Sequence, residues 1–158
     1  MNNNSLLREV HAITQSMLFK QLWIMSNRRS FLSGLWLRDY INTPQFPSLF
    51  AHMLPKGKNQ FPHFALYVKN VRLLAPHEHQ ILDHGTAQDR IAYSKEVKTA
   101  DWSVITDLQE ELRKEYNKHF PATYAGIINY KYSSEEIKEI LGKLNRKHWM
   151  EIEKGRVK

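Results

Sequence analysis

Residues 70–85 read NVRLLAPHEHQILDHG, and the fold turns on how this stretch is organised. Val71, Leu73 and Leu74 carry the apolar load of a strand. The chain then turns at Ala75-Pro76. Proline suits the first turn of a helix and Gly85 suits its C-terminal end. A strand therefore gives way to a short helix set with His77, His79, Asp83 and His84. Three histidines and two carboxylates, Glu78 and Asp83, within eight residues call for a chemical reason.

Working upstream, LFAHML (49–54) reads as a short strand and PKGKNQFPHF (55–64) as a loop, from its Pro, Gly and Asn content. LYVKNVRLL (66–74) reads as a second strand, so 49–85 runs strand, loop, strand, helix. Further upstream, Leu6, Val10, Ile13, Met17 and Leu18 recur at helical spacing and predict a helix over 5–25, capped by Asn4 or Ser5. Residues 26–30 form a basic turn, 30–41 fit strand or helix, and the prolines of NTPQFPS (42–48) predict an extended connector. Downstream, 102–120 is an amphipathic helix with Ile105, Leu108, Leu112 and Tyr116 on one face, ended by Pro121. Residues 123–132 are strand or loop. A Ser133…Glu136 capping box opens a helix over 133–153, with Ile137, Leu141 and Leu144 as its stripe. The expected class is α+β and mostly helical, a single domain over 1–158. A small ββα unit (48–90) sits between helical segments at 1–47 and 100–158.

Composition narrows the function. The chain has 158 residues and no cysteine, so it has no disulfide framework and no cysteine zinc knuckle. No apolar run reaches membrane-spanning length and the N-terminus lacks the order of a secretory signal. These features point to a cytoplasmic protein without a membrane partner. Of the net charge of +7, the first hundred residues hold +6, around the histidine-rich stretch. A basic excess there suggests a polyanionic partner, nucleic acid first, although a solvated basic surface gives the same count.

His79 and Asp83 lie one helical turn apart on one face, where an imidazole and a carboxylate can share a divalent cation. His77 and His84 share another face. Such a pair alone is more often a surface ion pair. His52, mid-strand in FAHMLPKG, would come beside the second strand and near the helix. Asn70 opens that second strand, where it can bond backbone across the loop.

His52, Asn70 and His79, on strand, strand and helix, resemble the motif of the HNH nucleases, whose site fold is called ββα-metal. In that family an Asn, an apolar strand and a Cys-x-x-Cys knuckle commonly precede the last His. Here NVRLLAPHEH keeps the nine-residue interval from Asn70 to His79, while Ala75 and Glu78 stand where the knuckle cysteines would be. The AH-x-LPKG segment is similar to HNH proteins of phages and mobile elements, which implies a bacterial host cell. The likeness covers residues 48–90.

The resemblance implies a DNA endonuclease. His52 would be the general base that takes a proton from water. His79 and Asp83 would hold one divalent ion at the scissile phosphate, Mg2+ or Mn2+ first, with Zn2+ or Ni2+ also suited to a His/Asp pair. Asn70 would orient the His52 strand. Lys56, Lys58 and Arg72 would contact flanking phosphates. Many family members carry a metal-binding Asp or His just before the catalytic histidine, and here that residue is Ala51. Two protein ligands then suffice, or His63 or His77 supplies a third, or the scaffold binds nucleic acid without cutting it. Glu78 reads as an exposed acid near a helix start, favoured by the dipole. Arg28-Arg29 reads as solvated charge or a further phosphate contact. A role in assembly through the C-terminal helices is the remaining alternative.

Overall fold

In the computed structural model, which describes residues 14–57, 60–121 and 131–155, the centre is an antiparallel hairpin. Phe50–His52 (β1) pairs with Val71–Leu73 (β2) in the register Phe50↔Leu73, Ala51↔Arg72, His52↔Val71. Five helices surround it, so the chain is mostly helical with one two-stranded sheet, among the described residues. They are α1 (Gln15–Met25), α2 (Pro76–His84), α3 (Ala87–Glu96), α4 (Ser103–His119) and α5 (Ser134–Glu153). No helix of the described residues is long and apolar enough to cross a membrane.

The strands are shorter than 49–54 and 66–74. Residues 68–70 form a 3-10 turn instead, because side chains compete for this backbone: Asn145 Oδ1 accepts from the Val68 N–H at 2.8 Å. The proline-rich 42–48 connector is likewise not extended throughout, since Phe46–Leu49 is a 3-10 turn. Helix α1 is capped by Thr14, whose hydroxyl accepts from Met17 N. Residues 5–13 of the expected first helix, and 123–130, lie outside the described residues. Helix α2 starts at Pro76 with Gly85 as its C-cap, and α5 has the expected Ser133/Glu136 box. The sequence reading contained no helix over 87–96. Thr86 and Asp89 form its capping box, but only Tyr93 is buried along it, so its apolar period is too weak to read.

Two apolar clusters meet at the hairpin. Ala51, Leu54, Phe64, Leu74, Ile81, Ile105, Leu112 and Phe120 belong to the larger. Leu18, Leu37, Leu49, Phe50, Val71 and Trp149 belong to the other. Adjacent strand residues enter different clusters because side chains alternate across a strand. The segment between β1 and β2 is clamped from outside. Lys69 pairs with Glu111 and Glu115 of α4 at 2.7 and 2.5 Å, and Asn145 of α5 holds Val68 N and Leu66 O.

Glu78 is fully buried rather than exposed. Its carboxylate accepts from Ser30 Oγ (2.5 Å), Ser33 Oγ (2.5 Å), Tyr93 Oη (2.7 Å) and the Ala75 N–H (2.8 Å). Each oxygen takes two donors, which fills the acceptor capacity of a carboxylate. The last bond also completes the N-terminus of α2, where Ala75 has no side-chain oxygen to cap with. One acid thus joins the 30–33 turn, α2 and α3.

Candidate active site

Three elements converge on one open cleft of about 640 Å³. Its lining includes Phe19 of α1, His52 of β1, and His79, Asp83 and His84 of α2, with Lys56 and Gln109 at its edge. His52, distant in sequence from His79 and Asp83, therefore meets them on one surface.

His52 is half-buried, with its ring 6.3 Å from that of Phe19. Its Nε2 lies 2.9 Å from the Ala65 carbonyl. A carbonyl only accepts, so Nε2 carries the hydrogen and Nδ1 is left with its lone pair. Burial lowers the pKa of this imidazole below its ordinary 6.5 and outweighs the opposing backbone hydrogen bond. The neutral form, which a general base needs, is the favoured one near neutral pH.

His79 is oriented by the same device with the opposite nitrogen. Its Nδ1 meets the Ser48 carbonyl at 2.6 Å, and its Nε2 faces Asp83 Oδ2 at 3.0 Å. With Nδ1 carrying the hydrogen, a neutral ring presents a lone pair to a carboxylate oxygen. At that separation the two side chains can form an ion pair or hold a metal ion together. A backbone carbonyl behind a histidine that fixes its tautomer is the usual support of a metal ligand. Among the described residues, no three His, Asp or Glu side chains gather as a metal-holding group, so these residues offer a pair and not a triad.

Asn70 is fully buried. Its Oδ1 accepts from Leu54 N at 2.8 Å, and its Nδ2 donates to Leu54 O and Phe64 O, both at 3.2 Å. Its backbone carbonyl accepts from Met53 N at 2.7 Å. It ties the chain leaving His52 to the segment that supplies Ala65, the acceptor behind the His52 ring. Asn70→Ala is expected to remove three buried bonds and destabilise the fold by about 3 kcal/mol or more. Urea unfolding checks this, and a loss below about 1 kcal/mol would show that the loop is held by other means.

Several expected residues lie elsewhere. Arg72 is cross-strand to Ala51, on the face opposite His52. Its guanidinium rests on Phe31 at 4.8 Å and lines a separate cavity with His148 and Trp149. It therefore lies outside the cleft that holds His52 and His79 and does not serve as a phosphate contact there. His77 precedes His79 by two residues, about 200° around the helix. It lies 5.6 Å from Tyr93 in a neighbouring groove and supplies no third ligand. His63 packs among Tyr116, Phe120 and Tyr132, also away from the cleft. Ala51 is fully buried in the core, so its position does not face the cleft. Lys56 lines the cleft and bonds Gln15 Oε1, while Lys58 lies outside the described residues. His84 lines both the cleft and the adjoining groove.

Some contributors left no readable trace. The Ser48 and Ala65 carbonyls are backbone groups, which any residue could supply. Gln109 reaches Met53 O at 2.9 Å from α4, and only the folded chain brings it there. Compared with known proteins, the chain matches no family model, no curated protein and no solved structure.

Proposed function

We propose that this chain is a metal-dependent endonuclease of the HNH kind that hydrolyses DNA phosphodiester bonds. One observation carries the reading. A base-ready His52 and a His79/Asp83 pair line the same cleft, and each imidazole is fixed by a backbone carbonyl. Such orientation is what a catalytic constellation requires.

In this reading His52 Nδ1 takes a proton from water, whose oxygen attacks the phosphorus as the bond to the leaving deoxyribose oxygen breaks, that oxygen taking a proton from solvent. The Ala65 carbonyl keeps the proton already on the ring at Nε2 and steadies the imidazolium that forms. Asn70 holds the loop and so the position of that carbonyl. Lys56 contributes positive charge at the rim for a neighbouring phosphate. His79 Nε2 and Asp83 are the residues that would hold a divalent ion. When bound, the ion supplies charge neutralisation at the phosphate and the leaving oxygen, with phosphate and water completing its coordination.

A second reading has its own support: a nucleic-acid-binding scaffold that does not cut. Ala51 faces the core, and the described residues offer two ligands rather than three. Incubating the protein with supercoiled plasmid and Mg2+, Mn2+, Zn2+ or Ni2+, beside an EDTA control, separates the two. The expected result is nicking with at least one ion and none with EDTA. Salt-sensitive DNA retention without nicking under any ion would sink the endonuclease reading in favour of the scaffold.

A further inference from the structure

The positive charge has a sharper distribution than the halves of the chain show. Between Glu9 and Glu78 the sequence holds eight Lys/Arg and one acid, Asp39. Within this run the backbone makes a tight hairpin. Arg29 bridges Trp36 across it, with Ser30 N donating to Leu35 O at 2.8 Å and Leu37 N to Arg28 O at 2.9 Å. One side of the hairpin is anchored: Ser30 and Ser33 donate to Glu78, and Leu32 and Leu37 are buried. The other side carries Arg29, Trp36 and Arg38, all exposed.

The cross-strand register puts the Arg29 guanidinium over the Trp36 ring at 4.4 Å, and Arg38 lies over the same ring at 5.3 Å. Next to them Arg28, held in the left-handed region at φ 59, sets its guanidinium 5.6 Å from the Trp23 ring. Among the described residues none of these three arginines forms an ion pair with a carboxylate. Lys69, by contrast, pairs with two acids. An arginine stacked on an indole is held by its face, which leaves the N–H fork at its edge to bind an acceptor. Arg29 uses one of these donors on the Gly34 carbonyl, which fixes the fork further.

We propose that Arg29 and Arg38, braced on Trp36, form a phosphate clamp that grips the backbone of duplex DNA outside the catalytic cleft. The fork geometry suits phosphate oxygens. Among the described residues no carboxylate is ion-paired with Arg29 or Arg38, Asp39 included, so no such pair must be broken for phosphate to bind. Anchoring through Ser30, Ser33 and Glu78 makes the clamp rigid with respect to α2, which carries His79 and Asp83. The inference rests on the nucleic-acid reading above, and it adds a binding surface that carries no catalytic group.

The test is fluorescence anisotropy with a labelled mixed-sequence duplex across a salt series, paired with plasmid nicking. The proteins are the wild type, Arg29→Gln/Arg38→Gln and Arg29→Lys/Arg38→Lys. Both side chains are exposed, so the variants should melt as the wild type does. The glutamine pair is expected to bind about tenfold to a hundredfold more weakly. Its slope of log affinity against log salt should be shallower by about two. For nicking, KM should rise with kcat unchanged. The lysine pair should keep the slope and lose part of the affinity, because an ammonium keeps charge without the fork. If the wild type binds and nicks DNA and the glutamine pair matches it in affinity and slope, the clamp is wrong and the endonuclease reading stands. If the clamp variant loses salt-dependent binding but no ion supports nicking in the wild type, the clamp stands and the endonuclease reading falls. Wild-type protein that ignores DNA but binds vesicles of anionic phospholipid would overturn the clamp by showing a lipid-facing surface.

Discussion

Replacing His52 by alanine is expected to slow plasmid nicking by about three orders of magnitude, the range that a positioned general base contributes, while DNA affinity changes little. The His52 imidazole lines the cleft with one ring nitrogen not engaged by the Ala65 carbonyl. Its Nε2 is committed to Ala65, so Nδ1 is the atom that meets water. The pH profile should agree. Burial lowers the pKa of His52 below 6.5, and a general base must be neutral to act. The acid limb of kcat/KM should therefore fall below pH 6.5, and activity should hold from there through neutrality. A variant that keeps a tenth or more of wild-type nicking would remove His52 from the role of base. An unchanged salt-dependent affinity in the same variant would show that its loss lies in chemistry rather than in binding.

The second large effect is on stability. Glu78→Leu should cost about 3–5 kcal/mol, because it strands Ser30 Oγ, Ser33 Oγ, Tyr93 Oη and the Ala75 N–H in the interior. For a chain of this size that is a fall of about 10 °C in Tm. Glu78→Gln should lie between, since an amide keeps the shape but turns a donor toward hydroxyls that also donate. Adding Ser30→Ala, Ser33→Ala and Tyr93→Phe to Glu78→Leu should recover part of the loss, because the stranded donors go with the acid. Thermal unfolding monitored by circular dichroism decides it. A Glu78→Leu protein within about 1 kcal/mol of wild type would mean that water replaces the carboxylate at no great cost.

What the sequence disclosed and what it hid divide along physical lines. Local signals read correctly. Pro76 and Gly85 bracket α2, Ser133 and Glu136 open α5, and the stripe Ile105, Leu108, Leu112, Tyr116 is buried along α4. The strand, loop, strand, helix order around His52 and His79 was legible because turn residues separate its elements. Side-chain direction was not. Arg72 looked available for phosphate until the register placed it beside Ala51, and register is a long-range property. His77 could stand as a third ligand only while its face of α2 had no known neighbour. Glu78 was misread for a similar reason. An acid at a helix start is usually solvated, and its donors come from residues 45 and 48 positions upstream and from a helix with little apolar period. The backbone carbonyls that set both imidazoles carry no residue identity, so no inspection of letters finds them.

The Glu78 hub has a consequence for the environments this scaffold withstands. It occupies the position where the family it resembles commonly places a cysteine of a metal knuckle, and both oxygens are saturated by protein donors. With no cysteine in the chain, neither thiol oxidants nor thiol-reactive metals have a residue to attack at this joint. If the cleft holds an ion as proposed, a chelator would act there alone, because the joint between the 30–33 turn, α2 and α3 is closed by protein donors. On that reading, removing and restoring the ion would stop and restart cleavage without refolding.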